Sequence, residues 1–427
     1  MKSYMEMTKE ELLKERESLE AEYKKFQHRG LKLDMSRGKP GADQLDLAMP
    51  MFDVFTNAAS MLAEDGTDCR NYGMLTGIID AKKLFGDLLG VGTDEIIIGG
   101  NSSLAIMYDT VARAMTHGVY GSEKPWIKYD KIKFLCPVPG YDRHFKICEH
   151  FGIEMINIPM HSDGPDMDMI EKMVAEDDTI KGVWCVPLYS NPDGIAYSDE
   201  VVRRFANLSP KAKDFRIFWD NAYCVHHLTD TPDHILNILD ECKKTGKEDM
   251  VFIFASTSKI SFPGAGVAIM AASVNNIKQI SKLLGIQCIS YDKLNQLRHV
   301  KYFKNVDGIM AHMEKHKAIL APKFKLVLDT LDKELSSLGI LEWNKPNGGY
   351  FVSVNTINGC AKRVVSLCKE AGVVLTDAGA TFPYGKDPDD RNIRLAPTYP
   401  PLNELETAMN LFCLCVKLAS AEKLLSE

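Results

Sequence analysis

A lysine directly after an apolar run is the first candidate for chemistry in this sequence. The run covers residues 250–254, and Ser256, Thr257, Ser258 and Lys259 follow it. A lysine at the carboxyl end of a buried strand lies where ligands bind in open α/β sheets. Partial desolvation would lower its pKa and make its amine nucleophilic towards carbonyl groups, and the neighbouring serine hydroxyls could bind a phosphate. The alternative is a solvated surface lysine, and this short pattern alone does not decide between the two.

A second apolar run, residues 215–219, ends in Asp220, and Tyr223 follows three residues later. A buried carboxylate needs a cationic partner. A protonated nitrogen of an aromatic ring would be one, and Tyr223 could then contact a phenolic oxygen on the same ring. The alternative interpretation is that Asp220 caps a following helix.

The segment from Asn191 to Gly194, with the sequence N-P-D-G, comes after the apolar run at residues 182–186. This pattern is typical of an ordinary turn. Its functional interpretation is that the Asn191 amide donates to the same phenolic oxygen as Tyr223.

The segment from Gly99 to Ser103, with the sequence G-G-N-S-S, connects a predicted strand to a predicted helix. Backbone N–H groups at a helix start attract anions, so these amides and the hydroxyls of Ser102 and Ser103 could bind a phosphate. A simple helix N-cap is the alternative.

Seven short apolar runs are predicted to be the strands that position these residues. They cover residues 95–98, 132–136, 154–158, 182–186, 216–219, 250–255 and 267–272, and helical patterns at 104–117, 199–208 and 232–244 separate some of them. Nearly continuous apolar runs are expected of strands that are buried on both faces. Alternation of strands and helices predicts an α/β fold, in which a large domain has a mostly parallel seven-stranded sheet flanked by helices.

The two ends of the chain have a different pattern. Residues 8–28 are predicted to form a helix with Thr8 as N-cap and Glu11 in capping-box position. A helical tract covers 310–338, where Pro322 predicts a break, and strands at 349–354 and 392–395 precede a closing helix at 404–419. We therefore expect residues 46–320 to form the large domain, and residues 321–427 to form a smaller α+β domain that the segment 1–45 joins.

Composition restricts the class of protein. The 427 residues carry 51 Lys plus Arg against 58 Asp plus Glu, a net charge of −7, which disfavours nucleic acid and anionic membranes as partners. No apolar segment has the length of a membrane span, and the first 20 residues lack the apolar core of a signal peptide. Eleven cysteines without a C-x-x-C pair disfavour a disulfide framework or a zinc ribbon and favour the reducing cytoplasm. A cytoplasmic enzyme is the expectation.

Taken together and in this order, the four segments resemble those of fold-type I pyridoxal-phosphate enzymes, specifically the class I aminotransferases. The resemblance covers nearly the whole chain, and the pattern is most similar to a divergent subgroup of aspartate aminotransferases. It implies that Lys259 binds pyridoxal 5'-phosphate as a Schiff base and that Asp220 keeps the ring nitrogen protonated. The resemblance places these residues around the cofactor: Ser102, Ser103, Asn191, Asp220, Tyr223, Ser256, Ser258 and Lys259.

Four more elements carry the resemblance. Tyr141, in P-V-P-G-Y, resembles the aromatic residue that stacks on the cofactor ring, and Arg394, in N-I-R-L, resembles the arginine that binds the substrate α-carboxylate. Tyr72, in N-Y-G, resembles the tyrosine that reaches the phosphate of the neighbouring subunit, which implies a homodimer with shared sites. The loop around Gly38 lies where the family's N-terminal segment closes over the substrate.

The sequence departs from the pattern of the family in the residues that would bind the phosphate of the cofactor. The family usually has an arginine shortly after the lysine, but residues 260–266 contain none. Hydroxyls, helix-start amides and Tyr72 would have to bind the phosphate, or an arginine from elsewhere would replace the missing one.

The resemblance implies transamination between aspartate, or another acidic amino acid, and a 2-oxo acid such as 2-oxoglutarate. A second arginine would select the side-chain carboxylate, and Arg37, Arg143 and Arg298 are the candidates. A solvated helix arginine is the alternative for Arg298.

Two other functions remain open. A C–S or β-lyase would use the same lysine, aspartate and tyrosine. A non-catalytic ligand-sensing module would need a basic DNA-binding segment of about 60–70 residues, whereas only about 30 residues precede Ser36. The adjacent His226 and His227 would point to opposite faces of a strand, so we interpret them as structural and expect no metal site.

Overall fold

The structure, a computed structural model, describes residues 2–426, and its largest element is a mixed sheet flanked by helices. The strands, in chain order, are β1 (Leu33–Met35), β2 (Ile96–Ile98), β3 (Lys133–Val138), β4 (Glu154–His161), β5 (Gly164–Pro165), β6 (Ile180–Cys185), β7 (Arg216–Asp220), β8 (Val251–Ser256), β9 (Ala268–Ala272), β10 (Leu341–Trp343), β11 (Val352–Thr356), β12 (Val373–Leu375) and β13 (Asn392–Leu395). The α-helices are α1 (Lys9–Gln27), α2 (Ala42–Asp46), α3 (Ile79–Leu89), α4 (Ser103–His117), α5 (Asp142–His150), α6 (Met167–Glu176), α7 (Asp199–Asn207), α8 (Ile238–Lys244), α9 (Val274–Gln287), α10 (Lys293–Phe303), α11 (Val306–Leu335), α12 (Ala361–Glu370) and α13 (Leu402–Ser426).

The large sheet has the strand order β2-β9-β8-β7-β6-β3-β4-β5. All seven predicted strands are present in it, but the sheet is mixed, because β9 runs antiparallel to both of its neighbours. The physical reason is the short connection from β8 to β9, which contains no helix, whereas a parallel crossover needs a dozen or more residues and usually a helix. An eighth strand, the two-residue β5, pairs antiparallel with the end of β4 and was not predicted.

The large sheet is buried on both faces, as its continuous apolar runs predicted. In β7, Ile217 and Trp219 pack into the apolar core on one face, whereas Phe218 packs into the core on the other. In β2, Ile97 lies in the opposite core from Ile96 and Ile98. Side chains alternate between the faces of a strand, so a strand between two cores must be apolar at every position.

Strand direction brings the chemically interesting segments to one edge of the sheet. β3, β6, β7 and β8 are mutually parallel, and β2 shares their direction because it is antiparallel to β9, which is antiparallel to β8. The segments that follow the carboxyl ends of these five strands therefore meet at the same edge, which is where open α/β sheets bind ligands.

A third apolar core joins the two ends of the chain. It contains α1 residues together with residues of α11, α12 and α13, and it covers the three-stranded antiparallel sheet β10-β11-β13. Strand β1 pairs parallel with β12, which ties the N-terminal segment to the C-terminal part. The predicted capping box is present at the start of α1, where Thr8 Oγ1 accepts from the Glu11 amide and the Glu11 carboxylate accepts from the Thr8 amide.

Two helix predictions were wrong in their bounds. Pro322 does not break the long helix, because α11 runs through it as one element from Val306 to Leu335. Its buried stripe, which includes Leu320 and Phe324 on either side of the proline, packs into the core, and this tertiary packing outweighs the lost hydrogen bond. The tract predicted from residue 232 becomes helical only at Ile238, because Asn237 caps α8 by accepting from two backbone amides.

All eleven cysteines are free thiols, most of them buried. Among residues 2–426, no helix combines the length and the apolar character of a membrane span. No group of three or more potential metal ligands occurs in the same range.

A buried ion pair anchors the amino ends of the two strands β6 and β7. Lys181 Nζ lies 2.6 Å from Asp214 Oδ1, and both side chains are at most 4% exposed. Asp214 Oδ2 also accepts from the Trp126 indole N–H at 3.0 Å. Both charges are satisfied, so removing one partner would leave the other charge buried without compensation.

We therefore predict that Asp214→Asn lowers the free energy of unfolding by about 3–5 kcal/mol, because it leaves the buried Lys181 ammonium unpaired. Urea denaturation of the variant and the wild type measures this difference. Glu123→Gln is the matched control, since it breaks the exposed pair of Glu123 with Lys213, and its free energy of unfolding should equal that of the wild type. A loss for Asp214→Asn of less than about 1 kcal/mol would contradict the anchoring role.

Candidate active site

A cavity of about 570 Å³ lies at the carboxyl edge of the large sheet, a volume suited to a small organic ligand. It brings together all the predicted site residues except Tyr72. Those that line it are Gly38, Ser102, Ser103, Tyr141, Asn191, Asp220, Tyr223, Ser256, Ser258, Lys259 and Arg394.

The segment that carries Lys259 is held firmly from outside the cavity. Thr257 Oγ1 and Ser261 Oγ, which flank the lysine, lie 3.1 and 2.8 Å from His299 Nε2. Thr257 Oγ1 also accepts from the backbone N–H of Val267 at 2.8 Å. Lys259 therefore projects from a turn whose flanking residues are fixed by hydrogen bonds.

The Lys259 amine has no hydrogen-bond partner within residues 2–426, and its Nζ lies 4.9 Å from the centre of the Tyr223 ring. Burial lowers the pKa of Lys259, the Asp220 carboxylate opposes this shift, and the Arg394 cation adds to it. A lysine with a lowered pKa has more of the neutral amine that attacks carbonyl groups.

Asp220 ends β7 and is only 2% exposed. Its Oδ2 accepts from His144 Nε2 at 2.9 Å, and the His144 ring stacks on Trp184 with centroids 4.3 Å apart. Its Oδ1 is buried and has no partner. A turn follows β7 and not a helix, so Asp220 is not a helix cap, and the residue lines the cavity.

His144 was missed in the sequence, although a signal for it existed. It lies three residues after Tyr141, and α5 begins directly after that tyrosine. Residues three apart lie on one face of a helix, so a histidine at this spacing can follow the tyrosine into the same site.

Hydroxyls and free amides form one end of the cavity. Ser102 is the N-cap of α4, but unlike Thr8 of α1 its side chain accepts no bond from the helix amides, which leaves these N–H groups available to an anion. Ser256 Oγ lies 3.1 Å from Ser258 Oγ, which in turn donates to the Asn101 carbonyl at 3.3 Å. These groups can bind a phosphate.

No arginine of the segment after Lys259 contributes to this end, as the sequence indicated. Arg298, from α10, donates to the carbonyl of Ala265 in that segment at 3.3 Å. It lines a neighbouring cavity and not the one that contains Lys259. Of the three candidate arginines, only Arg37 and Arg143 therefore line the main cavity.

Two side chains in the cavity that contains Lys259 can donate a hydrogen bond to an oxygen of a ligand. The Tyr223 hydroxyl has no hydrogen-bond partner within residues 2–426, and burial raises its pKa well above the usual value, so it stays protonated. The carbonyl oxygen of the Asn191 side chain accepts from Arg394 Nη1 at 3.1 Å, which leaves its NH₂ group free to donate.

Tyr141 is the other tyrosine of the cavity, and burial raises its pKa to about 12. Its ring meets His144 edge-on, with centroids 4.9 Å apart.

Arg394 projects from β13 and is 6% exposed. Its Nη1 also donates to Asp142 at 3.2 Å, and its guanidinium lies 4.7 Å from the centre of the Phe351 ring. A Cβ added at Gly38 would lie 2.5 Å from that ring, so only glycine lets the N-terminal segment pack directly on Phe351. Arg394 Nη2 has no partner within residues 2–426 and remains available to a carboxylate.

The remaining predicted residues lie elsewhere. Tyr72 is 80% exposed and does not line the cavity of its own chain. His226 and His227 follow the turn after β7 and belong to no strand, although His227 forms an isolated β-bridge with Gly348. His226 is buried, and His227 Nδ1 lies 2.8 Å from the Tyr189 hydroxyl.

The cavity fits the cofactor that the sequence predicted. The buried Oδ1 of Asp220 has no hydrogen-bond partner within residues 2–426 and can accept from a donor, and the protonated ring nitrogen of pyridoxal phosphate is one. The uncapped start of α4 with the serine hydroxyls can take its phosphate, and Lys259 supplies an unpaired amine for its aldehyde.

Comparison with known proteins agrees with this geometry. The family described as aspartate amino-transferase matches residues 7–427. An aspartate aminotransferase of Corynebacterium glutamicum is 44% identical over 406 residues, covering 95% of this chain and 94% of its own. The crystal structure of an aspartate transaminase from the same species superposes with a TM-score of 0.96 at 43% identity and covers 99% of both chains.

A more distant solved structure shares the fold alone. The α-aminoadipate aminotransferase LysN of Thermus thermophilus, solved with N-(5'-phosphopyridoxyl)-L-leucine, has a TM-score of 0.74 at 18% identity and covers 92% of this chain and 93% of its own. The 44% identity to the Corynebacterium glutamicum enzyme, over 95% of this chain, is stronger evidence of family membership than this likeness in fold. The family match over residues 7–427 agrees with it. The chain belongs to the aspartate aminotransferase family.

Proposed function

We propose that this aminotransferase uses pyridoxal phosphate to transfer the amino group of an acidic amino acid, such as aspartate, to a 2-oxo acid such as 2-oxoglutarate. The observation that carries the proposal is that one cavity contains both an amine and a carboxylate oxygen without a hydrogen-bond partner within residues 2–426. These are Lys259 Nζ and Asp220 Oδ1. The phosphopyridoxyl ligand of the distant relative supports the same choice of cofactor.

Each part of the cofactor has a candidate partner. Lys259 would hold its aldehyde as a Schiff base, and Asp220, oriented by His144, would hold the ring nitrogen. Tyr223 and the Asn191 amide would donate to its phenolic oxygen. When bound, pyridoxal phosphate supplies an electron sink for the charge left at the substrate Cα.

Side chains of the protein would move the proton and bind the substrate carboxylate. The Lys259 amine would accept the proton from the substrate Cα, and its lowered pKa favours the neutral form that this role needs. Arg394 binds the α-carboxylate through its free Nη2, and the Phe351 ring against its guanidinium limits how that carboxylate can lie. The Cα–H bond is thereby directed towards Lys259.

The charge around the substrate end favours a second carboxylate. Four cationic side chains line this part of the cavity: Arg37, Lys39, Arg143 and Arg394. Arg143 lies 3.8 Å from the Asp142 carboxylate and Lys39 lies 3.4 Å from Asp34, whereas Arg37 has no partner within residues 2–426. Arg37 is therefore our candidate for the group that binds the side-chain carboxylate of the substrate.

The proposed active unit is a homodimer in which Tyr72 reaches the phosphate bound by the partner subunit. Tyr72 is 80% exposed, and exposed apolar side chains at Ile286 and Ile289 precede α10, whose Lys293 binds the Asn71 carbonyl. An exposed apolar region of this kind is typical of an interface. Analytical ultracentrifugation of the holoenzyme should give a dimer, and a fully active monomer would contradict the shared site.

The assignment of Lys259 predicts both the reaction and the covalent adduct. With aspartate and 2-oxoglutarate we expect glutamate to form. We expect Lys259→Ala to lose the adduct that borohydride traps, because the other lysine that lines the cavity, Lys39, pairs with Asp34. Lys278→Ala, which removes an exposed lysine of α9, is the control and should keep the adduct. Formation of pyruvate, ammonia and hydrogen sulfide from cysteine, with no glutamate from aspartate and 2-oxoglutarate, would indicate a C–S lyase, and an undiminished adduct in Lys259→Ala would refute the assignment.

The assignment of Arg37 predicts a change in substrate preference. Arg37→Ala should lower kcat/KM for aspartate about 10–100-fold, since a charge-assisted hydrogen bond contributes roughly 1.5–3 kcal/mol. The value for alanine, which has no side-chain carboxylate, should change less than threefold. Arg143→Ala serves as comparison and should have a smaller effect on aspartate, because its guanidinium already faces Asp142. Equal losses for both amino acids in Arg37→Ala would contradict the assignment.

A further inference from the structure

The backbone carbonyls of Lys259 and Ile260 accept hydrogen bonds from side chains in distant parts of the chain. The Tyr350 hydroxyl donates to the Lys259 carbonyl at 3.4 Å. His312 Nε2 and His316 Nε2, on successive turns of α11, lie 2.8 and 3.1 Å from the carbonyl of Ile260. The Lys259 carbonyl belongs to the peptide that follows the Lys259 Cα, and the Ile260 carbonyl belongs to the next one. Their orientation therefore limits the direction in which the lysine side chain leaves the backbone.

Gln44 joins these contacts into one network. This side chain is fully buried in α2, and its Oε1 accepts from the Gly41 amide at 3.1 Å. Its Nε2 therefore faces the other way and donates to the Tyr350 hydroxyl at 3.0 Å and to His316 Nδ1 at 3.2 Å. One side chain thus contacts both of the groups that bind the carbonyls.

The donor and acceptor roles in this network follow from Gln44. An amide nitrogen only donates, so Nδ1 of His316 must be without a proton, and its Nε2–H is left to donate to Ile260. Burial, with a smaller contribution from His312, lowers the pKa of His316 to about 4, which agrees with a neutral ring. The Tyr350 hydroxyl accepts from Gln44 and is left to donate to Lys259.

Gln44 also lies close in sequence to the wall of the cavity. The segment from Ser36 to Lys39 lines the substrate end, and Gly41, whose amide Gln44 binds, is the N-cap of α2. The network therefore runs from the N-terminal segment at the cavity to the backbone of the lysine.

We propose that Gln44 is a positioning residue for Lys259, acting through Tyr350 and His316 on the two carbonyls that follow the lysine. The proposal rests on the proposed function of Lys259. Gln44 is not among the residues that line the cavity, so removing it should change the behaviour of the lysine and not the binding of the α-carboxylate by Arg394.

Two substitutions separate the network from simple packing. Gln44→Met keeps a long side chain but donates to neither Tyr350 nor His316. Tyr350→Phe keeps the ring and removes only the hydroxyl between Gln44 and Lys259. Each has a matched control: Gln296→Met alters an equally buried glutamine that accepts from the Ile78 amide, and Tyr23→Phe removes a buried hydroxyl that donates to the Leu367 carbonyl.

The readout is the reactivity of Lys259 in the cofactor-free protein. Trace labelling with acetic anhydride at several pH values, followed by mass spectrometry of the peptide that contains Lys259, gives the pKa and the relative reactivity of its amine. We expect the reactivity to change at least threefold in Gln44→Met and in Tyr350→Phe, and kcat of the holoenzyme to fall about tenfold, with KM within twofold. The two effects on kcat should be less than additive in the double variant, because both substitutions interrupt the same network.

In the two controls we expect lower melting temperatures without a change in Lys259 reactivity. Wild-type reactivity and kcat within twofold in both Gln44→Met and Tyr350→Phe would overturn the proposal. If Gln44→Met shows no cooperative unfolding transition, Tyr350→Phe decides by the same criteria. Failure of the proposed function has a different signature, since Lys259→Ala would then still form the borohydride-trapped adduct.

Discussion

The site depends on the buried carboxylate of Asp220. A charge that is 2% exposed is tolerated only if its oxygens have donors, and here one oxygen has His144 while the other has none. The protein alone therefore leaves the carboxylate half satisfied. A ligand with an N–H group at that position would complete it, and the protonated ring nitrogen of the proposed cofactor is such a group.

The fold supplies this constraint through strand direction. Asp220, Ser256 and the turns after β2, β3 and β6 meet because five strands point the same way, and the short return through β9 keeps Lys259 in the loop between β8 and β9. The opposite ends of β6 and β7 are fixed by the Lys181–Asp214 pair. The aspartate thus ends β7 and the lysine follows the neighbouring strand β8, while the N-terminal segment and residues of the C-terminal part, such as Phe351 and Arg394, complete the cavity from the side of the third core.

Many of the strands and of the residues that line the cavity could be predicted from the sequence, because short apolar runs and short motifs indicate them. Continuous apolar runs marked all seven of the predicted strands, and the candidate residues in the segments after them, from Ser102 to Lys259, line one cavity. The predictions that failed or were absent depend on contacts distant in sequence. Pro322 continues α11 because the residues around it are buried, and Gln44 meets His316 across 272 residues, which no local pattern indicates. The choice among Arg37, Arg143 and Arg298 likewise required knowing which cavity each one lines.

The most direct test of the central claim is the protonation state of the ring nitrogen in the bound cofactor. Reconstituting the apoprotein with pyridoxal phosphate labelled with ¹⁵N in the ring allows NMR to read this state from the nitrogen chemical shift. We expect a protonated nitrogen at neutral pH in the wild type and an unprotonated one in Asp220→Ala, because the carboxylate is the group that stabilises the cation. An unprotonated nitrogen in the wild type, or a protonated one that persists in Asp220→Ala, would contradict the role of Asp220 on which the proposed chemistry depends.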